Sequence, residues 1–174
     1  MPNYCHNTLI IEGVNENLSK FKKKLEKKEK YSLEDLFPMP EILERTIAPS
    51  INAIGQKYSN KFEVELAQKE GVEIPELKKC SNNTEEKQKS LIEKYGSSDW
   101  YDWKNTNWGT KWIQDFELIE SLHKKLIYSF DSAWAPPIAL IEKISSDYTK
   151  LNFSISYNVF EMMGDETELV VIKN

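Results

Sequence analysis

Arginine is nearly absent from this sequence. Arg45 is the only one among 23 basic side chains in 174 residues. Guanidinium forks dominate the bidentate reading of guanine and of phosphate, so a base-specific DNA reader is not expected. Imidazole and thiol groups are equally scarce. Cys5, His6, Cys80 and His123 are the whole set, with no C-x-x-C or H-x-x-x-H pair among them. A zinc site is therefore not expected. Two cysteines fit a reducing compartment. Cys5 reads as a small buried side chain and Cys80 as an exposed thiol, with no bridge between them. Glycine is sparse too, with six in the chain. There is no P-loop, no G-x-G-x-x-G and no G-x-S-x-G, so nucleotide-cofactor folds and the hydrolase elbow lose their usual signatures. The longest apolar runs are a few residues, too short for a membrane-spanning helix. Residues 1–6 lack a basic stretch leading into an apolar one, so no secretion signal is expected and an intracellular protein is.

What is present suits a packed domain. Hydrophobic residues make up 40% and aromatics 11%, enough for a sizeable core in one unit of this length. The net charge of −5 is unevenly placed. Residues 1–90 carry 15 basic and 15 acidic side chains, and residues 91–174 carry 8 and 13. The acidic second half argues against general nucleic-acid affinity, which rests on phosphate neutralisation.

The hydrophobic pattern sets an order of elements. Residues 4–11 alternate and end in Leu9-Ile10-Ile11, which predicts a central strand. Asn15 is placed as a helix cap, with Leu18, Phe21 and Leu25 following at helical spacing. Lys20, Lys22, Lys23, Lys24, Lys27, Lys28 and Lys30 give that helix a basic outer face. "LFPMPEIL" reads as an irregular loop on the core, because two prolines break regular structure. Residues 45–99 read as a mainly helical insertion, with a helix within 47–68, a polar loop over 73–84 and a second helix over 84–95 stopped by Gly96. Strands are predicted over 114–119 and 125–130 with His123 in the turn between them. A helix follows Pro136 and Pro137, then strands over 151–157 and 169–172. Strand, helix, insertion, strand, strand, helix, strand is the split βαβ order of ferredoxin-like folds. The expected class is α+β: an antiparallel sheet with helices on one face, in a single domain of residues 1–174 with the insertion 45–99.

Four motifs stand in order along this frame: "MPNYCHNTLIIEG", "LFPMPEIL", "NWGTKW" and "FDSAWAPP". Together they resemble the Api92/YubB-type ferredoxin-like domain of phages and plasmids. Tyr4, Ser132 and Ala135 depart from that family's pattern of Trp, Thr and Ser, and residues 45–99 fall outside the resemblance. The resemblance implies the fold and a mobile-element origin, hence a cytoplasmic protein of a bacterial host cell. It implies no enzymatic activity and no cofactor.

Four of the five tryptophans lie in "WYDWKNTNWGTKW", residues 100–112. Aromatics with Lys104 and Lys111 can stack bases and meet phosphates. A packed aromatic loop closing the sheet is the competing reading. Trp108 and Trp112 fall in the family block and are assigned to the fold. Trp100, Tyr101, Trp103 and Lys104 are assigned to an exposed partner contact, since aromatics are enriched at hot spots. Trp134, before two prolines, is expected to plug the core. The lysine helix is the strongest electrostatic lead, with Lys20, Lys23, Lys24 and Lys27 as contact candidates.

No catalytic set is evident, although carboxylate pairs leave glycosidase chemistry open. The expectation is a non-enzymatic inhibitor or adaptor, without metal or cofactor. Its expected partner is a host protein or ribonucleoprotein complex that handles nucleic acid, for example a CRISPR effector with its guide RNA, with RNA contact through the lysine-rich helix. The alternative is a single-stranded RNA or DNA binder using an aromatic surface and the lysines. The strands carry no RNP1 pattern of the RRM, which weakens that alternative.

Overall fold

The computed structural model describes residues 3–26, 32–44, 46, 85–159 and 167–172. The chain divides into two compact units, Met1–Pro38 with Lys104–Asn174, and Met39–Trp103. The expected helix within 47–68, the loop over 73–84 and Cys80 lie outside the described residues.

The first unit holds the sheet. Strand β1 (Tyr4–Gly13) alternates, with Cys5, Asn7, Leu9 and Ile11 buried and the residues between them exposed or half-buried. Helix α1 (Asn15–Leu25) follows and buries Leu18, Phe21 and Leu25. Its cap is Val14, with no side-chain hydrogen bond, and Asn15 is the first helical residue, one position later than expected for a cap. The cap role falls to the Val14 carbonyl, which accepts from the N–H groups of Asn17 and Leu18. Gly13 sits where β1 meets the start of β4. A Cβ there would come within 2.6 Å of Leu151 and 3.2 Å of the Lys150 carbonyl.

Residues 32–43 are more regular than their prolines suggest. Leu33–Leu36 form a 3-10 turn, in which the Glu34 N–H donates to Ser32 Oγ at 3.3 Å. Within the second unit lie the short helix α2 (Glu41–Glu44), α3 (Glu85–Tyr95) and the start of α4 (Trp100–Asn107). Gly96, with φ of +77°, stops α3 as expected.

The tryptophan segment is where expectation and structure part. A packed aromatic loop was one of its two readings, and its first eight residues, Trp100–Asn107, form the helix α4. Buried Asp99 is the reason: its Oδ1 accepts from the N–H groups of Tyr101 and Asp102, each at 3.0 Å, and so caps the first turn. The limit between the two units falls inside α4, between Trp103 and Lys104.

Strands β2 (Ile113–Leu122) and β3 (Lys125–Ala133) form a hairpin, with irregular register between Gln114 and Glu117 and between Leu118 and Glu120. Helix α5 (Ile138–Asp147) buries Leu140, Ile141 and Ile144. Strands β4 (Leu151–Val159) and β5 (Glu168–Ile172) finish the described fold. The sheet runs β2-β3-β1-β4-β5, every neighbour antiparallel, with β1 central as predicted. The first four strands have the ferredoxin-like order, and β5 extends the β4 edge.

The core lies between one sheet face and the two helices. Phe21 of α1 meets Tyr148 edge-on at 5.0 Å and Phe153 of β4 at 5.8 Å. Phe116 of β2 stacks on Tyr128 of β3 at 4.9 Å. The opposite sheet face carries Thr8 between Ser129 and Ser156, and Ile10 between Ile127 and Ser154.

Candidate interaction surface

Three of the four motifs meet at one end of the sheet, around a buried polar cluster. Asn7 Nδ2 donates to the Cys5 carbonyl (2.7 Å), the Phe130 carbonyl (3.3 Å) and Ser132 Oγ (2.9 Å). Ser132 Oγ donates onward to the Ala135 carbonyl at 2.7 Å. Thr110 Oγ1 donates to the Ala133 carbonyl at 2.9 Å and accepts from the Ala133 N–H at 3.0 Å. Trp108, also buried, donates its indole N–H to the Phe37 carbonyl at 2.9 Å, which ties in the "LFPMP" segment. Gly109 has φ of +81°, a turn that an L side chain rarely adopts. These residues build the fold. Buried amides and hydroxyls are kept because each finds a partner.

The same motifs present a second set of side chains outward. Tyr4 is 41% exposed and its ring lies 5.4 Å from that of half-buried Trp112. Next along β1, His6 Nδ1 lies 2.6 Å from Asp131 Oδ1, in an exposed pair. Trp134 corrects the expectation of a core plug, because it is 51% exposed. Its φ of +66° is the reason. The chain leaves strand geometry after Ala133, so Trp134 does not continue the inward parity of Phe130 and Ser132. A bulky residue with φ above zero is a genuine outlier. Its N–H donates to the Asn3 carbonyl at 2.9 Å, which holds it beside the start of β1.

Charge is separated on this unit. From Ile113 to Leu122 there is no basic residue, and Asp115, Glu117 and Glu120 are exposed along the outer strand of the sheet. Exposed Ile119 and Leu122 add apolar surface to that strand. Lysines gather on α1 instead. Lys20 is exposed and pairs with Glu16 at 2.6 Å. Lys23 and Lys24 are exposed, and the Lys24 ammonium lies 5.4 Å from the centre of the Tyr148 ring. Lys27 lies outside the described residues.

The other expected contact residues divide. Trp100 and Tyr101 are half-buried and meet edge-on at 5.6 Å. Trp103 is 5% exposed, so it packs inside and is no surface contact. Capping by Asp99 starts a helix, and a helix points Trp100 and Trp103 along one side. Lys104 lies 4.6 Å over the Trp108 ring, a cation–π contact. Its charge also reaches Glu34. Burial pushes the Glu34 carboxyl above its usual value, and Lys104 and the Ile113 N–H at 3.3 Å pull it partly back. Trp100, Tyr101 and Trp103 belong to one unit, and the α1 lysines with Lys104 to the other.

Cys5 and His6 are successive strand residues and point to opposite faces, so they form no thiol–imidazole couple. Burial pushes the Cys5 thiol up to about 11, a protonated and inert state at neutral pH. Among the described residues, no group of three or more His, Cys, Asp or Glu side chains is placed to hold a metal ion. No described helix is long and apolar enough to cross a membrane. The outward His6–Asp131 pair, exposed Trp134 and the acidic strand were not picked out from the sequence. The strand parity of Tyr4, His6 and Thr8, and the spacing of Asp115 and Glu117, were the available signals.

Comparison with known proteins agrees with this architecture. Residues 107–166 match the family model described as a ferredoxin-like domain in Api92-like protein. No curated protein matches the chain. The crystal structure of a protein Api92 from Yersinia pseudotuberculosis superposes with a TM-score of 0.51 at 11% identity, covering 99% of this chain and 95% of that one. That likeness shows a shared fold. Residues 107–166 of this chain are thus similar to the ferredoxin-like domain of Api92-like proteins.

Proposed function

We propose that this protein is a non-enzymatic accessory protein, an inhibitor or adaptor, that docks on a basic, nucleic-acid-binding surface of a host complex. A CRISPR effector with its guide RNA presents such a surface. The observation that carries the reading is the outer strand β2, which exposes Asp115, Glu117 and Glu120 and has no basic residue from Ile113 to Leu122. A row of carboxylates complements a groove that otherwise holds phosphates, and it speeds and orients association. Trp112 and Tyr4, at the start of β2 and of β1, supply aromatic anchors beside the charges. The mobile-element origin implied by the motifs fits an accessory role.

The test is capture of basic nucleic-acid-binding proteins from nuclease-treated bacterial lysate by the tagged protein. A triple variant, Asp115→Lys, Glu117→Lys and Glu120→Lys, serves as the control. The wild type is expected to retain a nucleic-acid-binding partner that the variant loses, with the variant's circular dichroism unchanged. Equal capture by both proteins overturns the reading.

A further inference from the structure

The lysine face of α1 borders a cavity in the same unit. Helix α5 ends at Asp147, and residues 148–150 lead into β4 beside the first turns of α1. A cavity of about 240 Å³ opens there, lined by Asn17, Lys20, Asp147, Tyr148, Thr149 and Lys150 among others. The half-buried Tyr148 ring is held from within by Phe21 at 5.0 Å. The Lys24 ammonium stands 5.4 Å from the centre of the same ring. Two carboxylates share the place. Asp147 lies on the lining, and Glu16 holds Lys20 at 2.6 Å. The Glu16 carboxyl is held below its usual value by its hydrogen bond to Lys20, by the Lys20 charge and, more weakly, by Lys150. Lys20 and Lys150 therefore act on one carboxylate from two elements, and both line the cavity.

We propose that this cavity is a phosphate-binding site for a nucleotide, taken either free or as part of a single strand. The donor set selects the group. Two ammonium groups are compact point charges, and Asn17 and Thr149 add an amide and a hydroxyl donor. A phosphate offers three or more oxygens to these donors, whereas a carboxylate offers two and leaves donors unmet. The volume falls below the roughly 300–1,000 Å³ of drug-sized ligand sites, which suits one phosphate and the sugar beside it. Glu16 pairs with Lys20, and a phosphate would compete with it for that ammonium. The site stands apart from the acidic strand, so either proposal can fail alone.

The experiment is a titration of the full ¹⁵N-labelled chain, followed by its amide resonances. The probes are inorganic phosphate, a nucleoside monophosphate and a short single-stranded RNA. Saturable shifts centred on Asn17, Thr149 and Leu151 are expected. Lys20→Ala and Lys150→Ala should each weaken binding by about two- to fivefold, the range of an exposed charge contact. Glu16→Gln should tighten it, because it frees Lys20, an outcome that a purely structural Glu16 would not give. Shifts with all three probes identify a site for free phosphates and nucleotides. Shifts with RNA alone identify a strand contact. The proposal is overturned if no probe moves these amides, or if a folded Lys20→Ala/Lys150→Ala double variant binds as the wild type does. Retention of the shifts in the β2 charge-reversal variant separates this site from the docking strand.

Discussion

Along β1, Cys5, Asn7, Leu9 and Ile11 turn to the helices, while Tyr4, His6, Thr8 and Ile10 turn away. Both sets come from one motif, and strand alternation alone divides them. In the inward set, Asn7 is tied to Ser132 and to the Cys5 and Phe130 carbonyls by hydrogen bonds. On the outward set, near the start of the strand, exposed His6 meets half-buried Asp131 and Tyr4 meets Trp112. A motif is thus two statements in one. Half of its residues specify the fold, and the half that faces solvent is where a partner can be recognised.

The sharpest way to break the comparison is through the core. Phe130→Ala empties a side chain that is 1% exposed and touches Phe116. A loss of about 3–5 kcal/mol is expected, read from urea denaturation. His6→Ala, one face away, should change stability by no more than about 0.5 kcal/mol. A comparable loss in both would mean that the outward face is covered and the division by parity is false.

Asn7→Ala tests the polar part of the inner set. It removes one donor group that serves three acceptors, and a loss of about 2–3 kcal/mol is expected in the same denaturation series. Asn7→Asp should be worse, because it places acceptors against two carbonyls and brings a charge into a buried site.

How much of this was legible before the structure follows the same physics. The strands were readable because an inward residue every second position is a strong signal, as in Leu126, Tyr128 and Phe130. Helix α5 was readable from Ile141 and Ile144 behind a proline pair. The helix at Trp100–Asn107 was hidden, since Asn, Asp and Thr favour loops by propensity and its one strong cue is a single cap, Asp99. Trp134 was misplaced for a different reason. A large aromatic at a strand-to-helix junction before two prolines reads as a core plug, and only a left-handed φ turns it out. Sequence pattern predicts repeating geometry well and single backbone exceptions poorly.

That exception yields a smaller and cleaner test. Trp134→Gly and Trp134→Ala both remove the ring, but only glycine accepts φ of +66° without penalty. The glycine variant is expected to be about 1 kcal/mol more stable than the alanine variant. If the two are equal, the backbone relaxes once the indole is gone, and the indole itself holds the turn.

The smallest expected effect concerns Glu34, whose carboxyl joins the 3-10 turn to the first residue of β2. Burial raises its pKa above the usual 4.5, so the folded chain keeps this proton to higher pH than the unfolded chain does. Stability from this group is therefore fullest below pH 4.5 and declines as pH rises through the raised folded value. Glu34→Gln keeps an acceptor for the Ile113 N–H and carries no charge. In thermal melts, the variant should gain on the wild type at pH 7 by up to about 1 kcal/mol and lose that advantage near pH 4. The opposite sign at pH 7 would mean that attraction to Lys104 outweighs burial.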